Sequence, residues 1–104
     1  MLKFSDRVYR IIKRVPKGKV TTYMAIARSL GNPKSSRAVG NALHTNPNLV
    51  HIPCHRVVRS NGEIGGYAGG QKKKIVLLRR EGVEVKNNKV DLHKYFLDLT
   101  RKKW

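Results

Sequence analysis

Thr21-Thr22-Tyr23-Met24-Ala25-Ile26-Ala27-Arg28-Ser29-Leu30-Gly31-Asn32-Pro33-Lys34-Ser35-Ser36-Arg37-Ala38-Val39-Gly40-Asn41-Ala42-Leu43-His44 is the stretch that decides the fold. Ala25, Ile26, Ala27 and Leu30 fall at helical spacing behind Thr21 or Thr22, either of which offers the side-chain oxygen an N-cap needs. Gly31-Asn32-Pro33 stops that helix, because proline cannot continue one and glycine admits the left-handed turn that ends one. A further helix is predicted to start at Ser35 or Ser36 and run through His44, closed by Asn46-Pro47. Two short helices across the tight Gly-Asn-Pro-Lys turn read as a helix-turn-helix, a pattern that any helical hairpin of this length shares.

Upstream, Phe4, Val8, Ile11, Ile12 and Val15 predict an amphipathic, core-packing helix, N-capped by Ser5 and ended by Pro16-Lys17-Gly18. Downstream, His51 to Val58 is apolar and β-branched, Ser60-Asn61-Gly62-Glu63 is a turn, and Gly65 to Gly70 is a glycine-dense loop. A helix from about Gln71 to Arg80 stops at Gly82. Val83-Glu84-Val85 and Lys89-Val90 flank Asn87-Asn88 as a small hairpin, and Leu92, Tyr95, Phe96 and Leu99 predict a last amphipathic helix. The expected fold is mainly α with small β hairpins: a winged-helix-like domain containing a helix-turn-helix. Neither an internal repeat nor a linker divides the chain, so residues 1–104 are expected to form one domain.

Twenty-three Lys and Arg against six Asp and Glu give a formal net charge of +17 on 104 residues. Self-repulsion at that density is relieved by a polyanion, and phosphate is the obvious one. An anionic membrane surface is the competing partner. No basic amphipathic helix dominates, no lipidation motif is present, and the longest apolar run, Ile75 to Leu78, is too short to span a bilayer. The N-terminus lacks the apolar core of a signal peptide, and one cysteine fits a reducing compartment. The expectation is a soluble protein of the cytoplasm (nucleoid-associated) or nucleus.

Pro53-Cys54-His55-Arg56-Val57 carries the chemistry. An imidazole beside a thiol is a standard route to a nucleophilic thiolate, and Arg37, Arg56 and Arg59 are expected to lower the thiol's pKa further. The competing reading is an inert buried cysteine. His44, His51, Cys54 and His55 lack the second cysteine of a usual structural zinc site, so no metal is expected. Ser36, Ala38 and Gly40 are small for a helix that reads a major groove. They suit close approach to a minor groove with Arg37 entering the duplex, or else tight packing between helices. Tyr67, within the glycine loop, is placed to stack on a base, although such loops are commonly plain connectors. Glu81 either balances charge or orients His55, and Lys72-Lys73-Lys74 reads as a solvated, phosphate-attracting face.

With these residues in register, the chain from about Gly18 to Val85 resembles the active-site domain of the O6-alkylguanine-DNA alkyltransferases. The resemblance rests on Gly18 to Tyr23, Gly31-Asn32-Pro33, Arg37-Ala38-Val39-Gly40, Asn46-Pro47, Ile52 to Val58, Gly62, Gly65, Tyr67, Gly69-Gly70 and Glu81-Gly82. It implies irreversible, single-turnover transfer of the alkyl group from guanine O6 in double-stranded DNA to Cys54, by a monomer that needs no cofactor. It implies His55 as a base acting through water, Glu81 polarising it, Asn46 as a hinge, and Tyr23 as proton donor at guanine N3. Arg37 would fill the stack left by the flipped base, and Ser36, Ala38 and Gly40 would line the minor-groove face. Tyr67 would flank the base, the Ala68 N–H would bond O6, and the carbonyls of Cys54 and Val57 would accept from the exocyclic amine. Relative to most family members, the resemblance implies that an N-terminal domain is missing here. This short format also resembles the alkyltransferase-like lesion sensors, but those replace the acceptor cysteine that this chain retains, and a plain winged-helix DNA-binding protein is the third alternative.

Overall fold

The Thr22 hydroxyl accepts the backbone N–H of Ala25 at 3.0 Å, so of the two candidate threonines it is the one that starts the helix at Tyr23. The computed structural model describes residues 3–46, 48 and 51–99. Its elements are α1 (Phe4–Ile12), β1 (Thr21–Thr22), α2 (Tyr23–Ser29), α3 (Ser36–His44), β2 (Val57–Val58), α4 (Gln71–Arg80) and α5 (Leu92–Tyr95). Tight 3-10 turns at Pro33–Ser35 and Cys54–Arg56 precede α3 and β2. Gly31, at φ +81°, makes the left-handed exit from α2 that a side chain would resist.

Val8, Ile11 and Ile12 of α1 close on Ile26 and Ala27 of α2 and on Val39, Ala42 and Leu43 of α3. Those are the periodic apolar positions of all three helices, so the opposite side of α3 is turned outward. The Tyr9 hydroxyl donates to Ala42 O at 2.7 Å and braces α1 against α3. A second cluster, Val20, Val58, Ile64, Leu78, Val83, Val85, Val90 and Tyr95, lies under α4 and the C-terminal segment. Between the clusters β1 and β2 pair in parallel, Thr21 opposite Val57 and Thr22 opposite Val58. This pairing sets the start of α2 beside the Cys54–Arg56 turn.

The mainly helical, helix-turn-helix architecture is as expected, with four local differences. Ser5 lies inside α1 and Lys3 occupies the cap position. The expected hairpin shrinks to Lys86 and Lys89, which exchange two backbone bonds around Asn87 and Asn88 at φ 52° and 59°. Residues 88–90 instead pair with Gly62 to Ile64, through Ile64 N to Asn88 O and Val90 N to Gly62 O. The last helix is one turn long: Phe96 leaves it to bridge Val20, whose N–H and C=O are taken by Tyr95 and Leu97. Among the described residues no helix is long and apolar enough to cross a membrane.

Candidate active site

Cys54 opens its 3-10 turn with 4% of its surface exposed. The Asn46 side-chain amide donates to Cys54 Sγ at 3.1 Å and to Ile52 O at 2.9 Å, while its carbonyl accepts the N–H of Asn48 at 2.8 Å. One buried side chain thus laces the residues after α3 to those before the cysteine. Burial pushes the thiol's pKa up, and the Asn46 hydrogen bond and the Lys74 charge only partly oppose it. The expected depression of this thiol is therefore corrected: desolvation wins, and the resting group is a thiol. Arg56 does not serve it. Its guanidinium grips Glu81 with two bonds of 2.8 and 2.7 Å and donates a third, of 2.7 Å, to Val15 O. Arg37 and Arg59 are exposed, where water screens their charge.

His55 is 1% exposed, and its Nε2 lies 3.0 Å from Glu81 Oε2. Burial acts to raise the Glu81 carboxyl, but its bonds to Arg56 and His55 overcome this and hold it below the ordinary value. For His55 burial outweighs the support of Glu81 and lowers the pKa, so the ring is neutral at pH 7. A carboxylate only accepts, which assigns the ring proton to Nε2 and leaves a lone pair on Nδ1. Nδ1 is buried and meets no protein partner among the described residues. Neighbours in sequence, Cys54 and His55 share no hydrogen bond among those residues; the ring is instead aligned by Glu81 and met edge-on by Tyr67, centroids 6.4 Å apart.

In front of the cysteine lies a cavity of about 720 Å³. Tyr23, Ser36, Arg37, Gly40, Tyr67 and Ala68 line it together with Cys54. Ala38 is exposed on the same helix but outside the lining, while Asn46, His55, Val57 and Glu81 lie outside it too. A Cβ on Gly40 would meet nothing within 4 Å beyond its own helix among the described residues, so packing among them does not require glycine there. Gly65 is different: it sits at φ +72°, and a Cβ would come within 3.1 Å of the Tyr23 hydroxyl. Burial raises the pKa of Tyr23, against a smaller opposing effect of Arg59, and keeps the hydroxyl protonated as a donor.

One residue escaped the sequence reading. Lys74, expected on a solvated face, is 0% exposed, and its ammonium donates to Val57 O at 2.7 Å and Gly66 O at 2.9 Å. The available signal was its position four residues before the buried Leu78, on the inner face of α4. The Val57 carbonyl expected to meet a base thus already has one donor, leaving its second lone pair.

Fold and site together define a helix-turn-helix domain whose outward helix borders a cavity floored by a buried cysteine. The chain belongs to the family described as 6-O-methylguanine DNA methyltransferase, DNA binding domain, which matches residues 3–83. It is 55% identical over 82 residues to a methylated-DNA–protein-cysteine methyltransferase of Saccharolobus islandicus, covering 79% of this chain and 52% of that protein. It is 46% identical over 80 residues to the protein so named in Methanosarcina acetivorans, covering 77% and 51%. The chain therefore spans about half the length of these curated relatives. The crystal structure of S. pombe Atl1 in complex with damaged DNA containing O6-carboxymethylguanine superposes with a TM-score of 0.83 at 34% identity, over 93% of this chain and 98% of that one.

Proposed function

We propose that this protein repairs double-stranded DNA by moving an alkyl group from guanine O6 to Cys54. The observation that carries the reading is one cavity that holds Cys54, the outward face of α3 and Tyr67 together, with Asn46 on the sulfur. A stacked base hides its O6 substituent from in-line attack, so the nucleotide must leave the helix and enter such a cavity. Arg37 fills the space it vacates, Ser36, Ala38 and Gly40 follow the minor groove, and Tyr67 flanks the base. The Ala68 N–H binds O6, and the carbonyls of Cys54 and Val57 receive the exocyclic amine.

His55 Nδ1, directly or through a water, takes the thiol proton, while Glu81 steadies the imidazolium that results. Because burial keeps the thiol protonated at rest, this base is required at the moment of attack. The S–C bond forms as the C–O6 bond breaks, and the electron pair leaves on guanine. Tyr23 donates at N3 and regains a proton at the expense of the His55 imidazolium, so the net result is a thioether on Cys54 with the equivalent of the thiol's proton on guanine. Nothing regenerates the thiol, so each molecule acts once. The reaction needs neither metal nor cofactor, and a monomer suffices. A nucleoid-associated cytoplasmic or nuclear location fits the substrate.

A second reading, a lesion sensor that does not react, is favoured by the match with Atl1 over nearly the full length of both chains. Peptide mass spectrometry after mixing with a duplex containing one O6-methylguanine separates the two. A gain of one CH2 on the Cys54 peptide is expected. An unmodified protein that still prefers the lesion would give the sensor reading instead.

A further inference from the structure

Asn41 borders the same cavity as Cys54 but has no part in alkyl transfer as described. It stands on α3, exposed, four residues after Arg37 and directly after Gly40. The Thr45 hydroxyl donates to its backbone carbonyl at 3.4 Å, while its carboxamide makes no hydrogen bond among the described residues. Nothing in the fold explains an asparagine there, since alanine, lysine or glutamate is the better helix former at an exposed position. On the outer faces of α1 and α4 the chain does use such residues, among them Arg7, Arg10, Lys72 and Lys73. Attraction to phosphate would be served by one more cation. A neutral carboxamide instead offers an acceptor and two donors on one planar group.

That combination matches one feature of the minor groove. A G·C pair presents guanine N3 as an acceptor beside the N2 amine as a donor, whereas an A·T pair presents acceptors only. Against guanine, Asn41 Nδ2 donates to N3 while Oδ1 accepts from N2; against A·T, Oδ1 is left without a donor. A helix rises about 1.5 Å per residue, so Asn41 lies about 6 Å along α3 from Arg37. With base steps of about 3.4 Å, that is one or two pairs from the base whose place Arg37 takes. Gly40, between them, carries no side chain to hold the groove edge away from the amide.

We propose that Asn41 is a specificity-determining residue: its carboxamide reads the N2 amine and N3 of a guanine near the lesion, so the protein prefers lesions flanked by a G·C pair. This role requires α3 to meet the minor groove as proposed. It adds a preference for sequence context that neither Arg37 in the stack nor Tyr67 on the flipped base supplies.

The test is anisotropy titration of labelled duplexes that contain one O6-methylguanine. Protein with and without Asn41→Ala is compared, both carrying Cys54→Ala so that no transfer disturbs the equilibrium. The pairs one and two steps either side of the lesion start as A·T. Each in turn becomes G·C or inosine·C, with the purine on either strand. Inosine keeps N3 and lacks the N2 amine. At one position G·C should bind about fivefold tighter than inosine·C, and Asn41→Ala should bring that ratio within about 1.5-fold. A 2,6-diaminopurine·T pair at the same position restores the amine and should bind like G·C. Comparing the two proteins on each duplex removes any effect of weaker inosine pairing on base extrusion. Alanine favours the helix, so the variant folds. Ratios that are the same in both proteins at every position overturn the proposal. So does an Asn41→Ala loss that is equal on all duplexes, which would put the amide on sugar or phosphate. Alkyl transfer is read separately, from the mass of the Cys54 peptide of the parent protein. A failure there removes the repair chemistry, and the titration still decides what Asn41 reads.

Discussion

On the outer face of α3, the side chains of Ser36 and Arg37 make no hydrogen bond among the described residues, and Ala38 and Gly40 carry no polar group to make one. Behind the same cavity, Asn46, His55, Arg56, Lys74 and Glu81 are joined by short bonds to one another, to Cys54 or to backbone carbonyls. The first surface keeps its donors unspent and its side chains small, which suits contact with something outside the chain. The second spends its polar groups holding a cysteine and a histidine in place. Substitutions should therefore separate: changes on α3 cost binding or reaction on duplex DNA without lowering stability, whereas changes behind the cavity cost reaction, stability or both.

The largest effect tests the network where it meets the chemistry. Cys54→Ala should abolish alkyl transfer while duplex affinity stays within about twofold, because α3 is untouched. Titration of a labelled duplex checks it; a folded variant that has lost binding would join the two regions into one and end the comparison.

Glu81→Ala comes next and should cost both functions of the network. It leaves the Arg56 guanidinium with only Val15 O and the buried His55 without its orienting acceptor. Breaking such a pair costs roughly 3 kcal/mol, which urea unfolding at pH 7 would read. The Glu81 carboxyl is held below its ordinary value, so its contribution is full above the unfolded pKa and fades as pH falls through the folded one. The stability gap between wild type and variant should accordingly close in acid. His55 works in the same direction in the wild type: its pKa is lowered, so the unfolded chain binds the extra proton and stability falls as pH drops below about 6.5. A gap that stays constant down to pH 3 would mean that Glu81 is not the carboxylate carrying the network.

Arg37→Ala tests the outer face. It should slow reaction with a duplex lesion about tenfold and leave iodoacetamide alkylation of Cys54 unchanged, since the arginine touches no part of the network. Equal rates on duplex substrate for variant and wild type would show that Arg37 does nothing to extrude the base.

How far these regions were legible in the sequence follows the range of the interactions. Caps and periodicity are local, which is why α2, α3 and α4 fall where Thr22, Gly31 and the Gln71–Arg80 pattern put them. Cys54 and His55 announce themselves by adjacency. What adjacency misjudged was direction: the His55 ring turns to Glu81, twenty-six residues on, and Arg56 grips that carboxylate and not the thiol. The parallel pairing of Thr21 with Val57 joins segments whose local patterns say nothing of each other. Lys74 was lost for a different reason. Beside Lys72 and Lys73 its charge looked like a solvated run, and only its place four residues before Leu78 marked it as inward-facing.

Gly40→Ala is the smallest change, and it sharpens the comparison because its two consequences have opposite signs. Glycine within a helix costs about 1 kcal/mol relative to alanine, and a Cβ at this position meets nothing within 4 Å beyond its own helix among the described residues. The variant should therefore be more stable than wild type by up to about 1 kcal/mol in urea. The same methyl group projects from the face that the minor groove must approach, so duplex affinity should weaken about threefold, or roughly 0.6 kcal/mol. A glycine retained at a cost in stability and needed for binding is there for a partner. If Gly40→Ala instead destabilises the fold and leaves affinity unchanged, the small residues of α3 belong to packing within the chain, and its outer face is not the surface that meets DNA.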